Sequence, residues 1–316
     1  MKSLFPKIIS PGSTIGVVAP SGASNPELVQ LGLKKLQAMG FATKVAENVA
    51  AETHFTAGSR ELRIRETVKL FRDDSVDAVL CARGGDGAIH LLPELLGELE
   101  GSQPKPFIGY SDITLLQLAL YKHFGWVSFS GPMLTTELAD DSLSKESRDH
   151  LWSLTMKPPQ MWNLNPPLKD KITILRNGQA TGILLGGCLS LICALIGSPY
   201  LPDFKDSVLI IEDVEETPQS IDRMLHQLRI SGIFESIQGL ILGSFSGCFP
   251  GEGKSESALY EIVIAATSGY NFPVITDYLY GHSLRDRLTI PIGAPINFRT
   301  DPLDISLDLK IVNQNL

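Results

Sequence analysis

Apolar positions along the first 125 residues alternate between short unbroken runs and longer stretches with helical spacing. Ser13–Pro20 (STIGVVAP) is a β-rich run that ends in turn residues. Pro26–Met39 sets Leu28, Leu31, Leu33, Leu36 and Met39 at helical intervals, and Gly40 follows as a stop. Ala42–Val45 predicts a second strand, and Glu61–Phe71 a charged amphipathic helix. Asp77–Ala82 (DAVLCA) and Lys105–Tyr110 (KPFIGY) read as strands buried on both faces, and Ile113–Phe124 as a helix closed by Gly125. Such alternation predicts a parallel sheet covered by helices, with working loops at the carboxyl ends of its strands. Three junctions fall there: Pro20–Ser24, Arg83–Gly87 and Gly109–Asp112.

The pattern then changes. Residues 157–170 (KPPQMWNLNPPLKD) hold four prolines and read as a linker. Beyond it, Ile172–Leu185 carries an Asn177-Gly178 turn between β-rich runs, which predicts a hairpin. Ser207–Ile211 and Gly239–Gly243 predict buried strands, Gln219–Ile230 a helix, and the stretch from Thr289 onward short strands. The expected division is an N-terminal α/β unit (1–156), a linker (157–171) and a mixed α and β unit (172–316).

Composition is that of a globular enzyme, with 43% apolar and 20% charged residues. A balance of 27 basic against 35 acidic residues, without a basic stripe, argues against a nucleic-acid partner. The first twenty residues lack the pattern of a secretory signal, because Pro6, Lys7 and Pro11 interrupt the apolar positions. No apolar run reaches the about 18 residues of a membrane span. Cys81, Cys188, Cys193 and Cys248 are scattered, no HExxH is present, and neither a metal nor another cofactor is expected. These features predict a reduced, cytoplasmic setting.

Three stretches carry candidate chemistry. In CARGGDGAIH (Cys81–His90), GGDG after a buried strand fits the phosphate loop of a nucleotide-dependent kinase with Asp86 as base. It equally fits a close-approach loop that turns N–H groups toward a carbonyl. In IGYSDITLL (Ile108–Leu116), Ser111 is either an N-cap, with Asp112 complementing the helix dipole, or a nucleophile on a strand–turn–helix. In LIIEDVEETPQSIDRMLHQLR (Leu209–Arg229), Glu212 stands where the strand is expected to end, whereas Glu215 and Glu216 read as solvated. A serine nucleophile needs a base, and His282 follows a glycine in LYGHSLRDRLTIPIGAP (Leu279–Pro295).

RGGDG, GYSD 26 residues later, IEDVEE leading into IDRMLHQLR, and GH followed by TIPIG together resemble the serine LD-carboxypeptidases. That family includes muramoyl-tetrapeptide carboxypeptidases and microcin C immunity peptidases. The resemblance runs from STIGVVAPSG to residues 291–294. It implies a flavodoxin-like N-terminal domain carrying the nucleophile and a C-terminal domain with barrel-like strands carrying the rest of a Ser111–His282–Glu212 triad. It also implies an oxyanion hole from the backbone N–H groups of Gly85 and Asp112, a muropeptide or related peptide substrate, and a homodimer. Arg83, Gly84 and Asp86 become candidate substrate contacts, with Arg83, Arg285 or Arg287 as the cation for the substrate carboxylate. For an aminoacyl-nucleotide substrate, Trp126, Trp152 or Trp162 would be the stacking candidate. Two positions depart from the family pattern: Asp86, where RGGYG is common, and Cys188, where GGN is common.

Overall fold

Buried apolar runs form the central strands, and capped amphipathic segments form the helices that cover them. The structure is a computed structural model that describes residues 2–140, 142–249 and 255–315. In its first half β1 (Thr14–Val18), β2 (Ala42–Val45), β3 (Ala78–Cys81), β4 (Phe107–Gly109) and β5 (Ser128–Ser130) alternate with α1 (Pro26–Ala38), α2 (Arg60–Arg72), α3 (Leu92–Leu99) and α4 (Thr114–Phe124), and α5 (Lys145–Met156) follows. Asn25 Oδ1 accepts the Glu27 N–H at 2.8 Å to start α1, and Gly125, in the left-handed region, ends α4.

The second half contains β6 (Thr173–Arg176), β7 (Gln179–Cys188), α6 (Leu189–Leu195), β8 (Ser207–Val214), α7 (Pro218–Ile230), α8 (Ile233–Ser236), β9 (Gly239–Ser246), α9 (Ser255–Ala266) and β10 (Val274–Thr276). It closes with β11 (Ile290–Ile292), β12 (Pro295–Thr300), β13 (Leu303–Leu307) and α10 (Leu309–Asn315).

The first sheet runs β11-β5-β4-β3-β1-β2. Strands β1 to β5 are parallel in the flavodoxin-like order 2-1-3-4-5, and β11 adds an antiparallel edge. Register aligns Val18 with Cys81 and Leu80 with Ile108, so the three loops singled out in the sequence leave one edge of this sheet. The second sheet, β13-β12-β7-β8-β9-β10-β6, is parallel at its centre and antiparallel at both margins. Its outer strands do not pair with each other, so the barrel-like strands make a half-barrel.

Two sequence expectations are corrected. Asn177-Gly178 does not close a hairpin. Strand β6 pairs with β10 at the sheet margin, while β7 lies between β12 and β8. The turn is instead tied to the end of β12, with Gly178 N–H donating to Thr300 Oγ1 at 3.0 Å. Strand β7 is buried over its last five residues, so it belongs inside the sheet whatever turn precedes it. The second correction concerns β8, which continues past Ile211 to Val214, so Glu212 lies within the strand.

The halves meet where α4 crosses β7. Gly187 has φ +142°, and a Cβ there would stand 2.4 Å from the Thr114 side chain. The Cys188 N–H donates to Thr114 Oγ1 at 3.3 Å. A glycine is therefore required for the start of α4 to lie on β7. Since Cys188 is the register partner of Glu212, this contact brings the Ser111 turn to the strand that carries Glu212. Among the described residues no helix is long and apolar enough to cross a membrane.

Candidate active site

Ser111 occupies the left-handed region at φ +64°, directly after extended Tyr110. An ordinary side chain held there is a strained turn, of the kind that presents a side chain above a strand end. The chain makes one 3₁₀ turn, Ser111–Ile113, before α4 begins, and among the described residues the Ser111 side chain forms no hydrogen bond to cap it. The N-cap reading of Ser111 is thus replaced by a strained strand–turn–helix.

Gly84 lies against this turn. A Cβ on it would stand 2.9 Å from Ser111 Cβ and 3.1 Å from Ser111 Oγ. The Gly84 carbonyl accepts the Gly22 N–H at 3.1 Å, which joins the loops after β1 and β3. Asp112 is 3% exposed, and its carboxylate accepts the Ala88 N–H at 2.8 Å. Burial pushes the Asp112 carboxyl up, and hydrogen bonds together with the nearby Arg63 charge oppose that shift. Buried Arg63 donates to the carbonyls of Pro20 and Gly87, both at 2.8 Å, so the loops beside Ser111 are fixed from beneath.

Glu212 is 1% exposed, and its Oε2 faces His282 Nδ1 at 2.7 Å while also accepting the His282 backbone N–H at 3.2 Å. A Cβ on Gly281 would stand 2.8 Å from that oxygen, so the approach of the His282 turn depends on a residue without a side chain. With Nδ1 directed at the carboxylate, the imidazole holds its proton there and keeps Nε2 as an acceptor. The His282 ring lies 4.9 Å from that of Tyr110, the residue before Ser111. Among the described residues the Ser111 hydroxyl has no hydrogen-bond partner, so Glu212 and His282 are joined directly and Ser111 adjoins them through Tyr110.

The family model for the LD-carboxypeptidase N-terminal domain matches residues 15–131, and that for the LD-carboxypeptidase C-terminal domain matches residues 181–298. A probable murein peptide carboxypeptidase of Bacillus subtilis is 33% identical over 308 residues, covering 95% of this chain and 94% of that protein. The chain belongs to the LD-carboxypeptidase family. It is accordingly a serine-type LD-carboxypeptidase, a hydrolase. A murein tetrapeptide carboxypeptidase of Pseudomonas aeruginosa is 29% identical, covering 74% of this chain and 77% of its own. A solved MccF-like protein from Bacillus anthracis has a TM-score of 0.85 at 25% identity, covering 96% of this chain and 99% of its own.

Family membership removes the kinase reading of GGDG. In this LD-carboxypeptidase Arg83 and Asp86 are exposed, and Arg83 Nη1 donates to the Ala23 carbonyl at 3.3 Å. Arg285 is exposed as well, but Arg287 is 4% exposed and paired with Glu137, which withdraws it as a carboxylate-binding cation. Trp126 and Trp152 are core residues packed on Phe71, Phe124 and Phe41, so neither is available for stacking. Cys188 is buried beside Asp213, and burial pushes its thiol far up, which makes it an inert packing group. Sequence reasoning missed Thr114 and the purpose of Gly186-Gly187. The signal was present as two glycines in an otherwise apolar strand, a mark of close backbone approach.

Proposed function

We propose that Ser111, His282 and Glu212 act as nucleophile, base and orienting carboxylate in the hydrolysis of an L,D amide bond, releasing D-alanine from muropeptide tetrapeptides. The observation that carries this reading is the pairing of buried Glu212 with half-buried His282 at 2.7 Å, adjoining a serine at φ +64°. His282 Nε2 takes the Ser111 proton as Oγ attacks the carbonyl before the terminal D-residue. The N–H groups of Gly85 and Asp112 hold the oxyanion, each worth about 10²–10³ in rate. His282 then protonates the leaving amine, and water, activated by the same imidazole, releases the acyl group. Arg83, exposed on the rim, receives the terminal carboxylate. The reading extends to a homodimer working in cytoplasmic cell-wall recycling.

The geometry supports this without a formed Ser–His hydrogen bond, because catalytic hydrogen bonds commonly tighten only once substrate is bound. The test is D-alanine release from an L,D-linked tetrapeptide by Ser111→Ala, with folding checked by circular dichroism. Release should vanish while the fold persists, and undiminished release would remove the triad. The same assay run on a peptidyl sulfamoyl adenylate separates the microcin-type alternative, since the reading requires the tetrapeptide to be the better substrate.

A further inference from the structure

Beside His282 lies a buried ion pair that the catalytic reading leaves unused. Arg287 Nη2 stands 2.6 Å from Glu137 Oε1, off the line a hydrogen bond requires, with both side chains withdrawn from solvent. Removing two charges from water costs more than their attraction usually returns, so such a pair adds little to stability compared with apolar packing. Its connections say what else it does. The Tyr110 hydroxyl donates to Glu137 Oε1 at 2.5 Å, while Glu137 Oε2 accepts from the Met133 N–H at 3.0 Å and the Thr136 hydroxyl at 2.5 Å. The Arg287 guanidinium covers the Tyr110 ring at 4.3 Å, and its Nη1 donates to the Gly281 carbonyl at 3.2 Å.

We propose that Glu137 and Arg287 are positioning residues, a clamp that fixes the His282 turn against the Ser111 turn. Arg287 holds the carbonyl of the residue before His282 and, through Glu137 and the Tyr110 ring, holds the residue before Ser111. The clamp thus spans both halves of the molecule and sets the serine–histidine relation that no direct hydrogen bond sets in this state. The inference rests on the triad reading.

The charged and titratable groups against His282 are Glu212 from β8 and Tyr110 from the nucleophile turn, with Arg287 and its partner Glu137 behind the Gly281 carbonyl and the Tyr110 ring; Arg285 and Asp286 on its own turn are exposed. Glu137→Gln leaves the Arg287 charge uncompensated near the imidazole, and Arg287→Met leaves the Glu137 charge uncompensated. Steady-state kinetics across pH 5 to 9 on the full-length protein test the clamp. Each single variant should lower kcat about 10- to 100-fold, with KM within about twofold, as expected for a sub-ångström misplacement. The acid limb of kcat/KM should move to lower pH in Glu137→Gln and to higher pH in Arg287→Met. The double variant, neutral and free of an orphaned charge, should regain the wild-type limb while kcat stays low, and it carries the test if a single variant fails to fold. Wild-type kcat per folded molecule in the double variant, or losses with no opposed movement of the limb in folded single variants, would overturn the proposal. If Ser111→Ala is inactive and the clamp variants behave like wild type, only the clamp fails; an active Ser111→Ala removes the triad reading itself.

Discussion

Replacing Glu212 by Gln probes how the imidazole is held. In a buried triad, exchanging the carboxylate for an amide can flip the histidine to the wrong tautomer and cost about 10⁴ in kcat. Here a second contact decides the amide's orientation. Glu212 Oε2 accepts the His282 backbone N–H as well as facing Nδ1, so an NH₂ at that position would meet a fixed donor. The Gln carbonyl therefore takes the Oε2 position, and Nδ1 keeps its proton. What is lost is the charge facing the imidazolium formed in the transition state. Two unit charges about 4 Å apart at an effective dielectric near 20 attract by about 4 kcal/mol, of which the amide dipole restores part. The net loss of about 3–4 kcal/mol corresponds to about 10²–10³ in kcat. The displaced NH₂ lands where Oε1 is already buried without a partner, so one unpartnered polar atom replaces another. The assay is single-turnover D-alanine release from the tetrapeptide, with KM and urea midpoint measured alongside. A loss near 10⁴ would show that the tautomer flips and that the backbone N–H does not govern the amide; an unchanged kcat would remove Glu212 from the mechanism.

Gly84→Ala should lower kcat by about 10²–10³ while moving Tm by only a few degrees, because its Cβ meets the Ser111 side chain itself and displaces the neighbouring N–H donor. Gly97→Ala, in α3 with nothing within 4 Å of the added Cβ, is the control, and should leave kinetics unchanged and hold or raise Tm. His150 gives a pH dependence. Its Nδ1 accepts the Thr289 N–H at 3.0 Å, its Nε2 faces the Asn163 carbonyl at 2.8 Å, and burial lowers its pKa. The unfolded chain thus takes up a proton, near pH 6.5, that the folded one resists, so the contribution is full above about pH 6.5 and is lost as pH falls toward the folded value. Urea midpoints between pH 7 and 5 should fall less steeply in His150→Gln than in wild type, and equal slopes would exclude His150 as the source.

Most elements of the first sheet were legible because each combines an unbroken buried strand with a capped helix, signals that lie within a dozen residues. What escaped was set by contacts distant in sequence. The left-handed φ of Ser111 follows from its surroundings, and the same GYSD reads as an ordinary helix start when those are unknown. Asn177-Gly178 carried a hairpin signal, yet burial of β7 on both faces outweighed it. Glu212 looked like a strand end because an acid inside a buried strand is costly; it is tolerated because Gly281 lets the His282 turn reach the carboxylate. Glu137, in a polar stretch before two aspartates, and Arg287, one of two arginines in RDR, had the local appearance of surface charges. Nothing in either segment announces that they meet.

Strand β11 gives the chain an unusual order of assembly. Residues 290–292 pair with β5, whose residues lie some 160 positions earlier, after β6 to β10 of the second sheet have already been made, and the chain then returns to that sheet as β12. The first sheet therefore lacks its sixth strand during synthesis until residues 290–292 emerge, and the same late segment delivers His282 just before them. Completion of the sheet and of the proposed triad then become one event, so a ribosome-bound or truncated chain lacking this stretch would hold Ser111 without its proposed base. Such long-range pairing is slow relative to the local pairings that precede it, and under the triad reading it would tie the appearance of hydrolytic power to the completion of the fold.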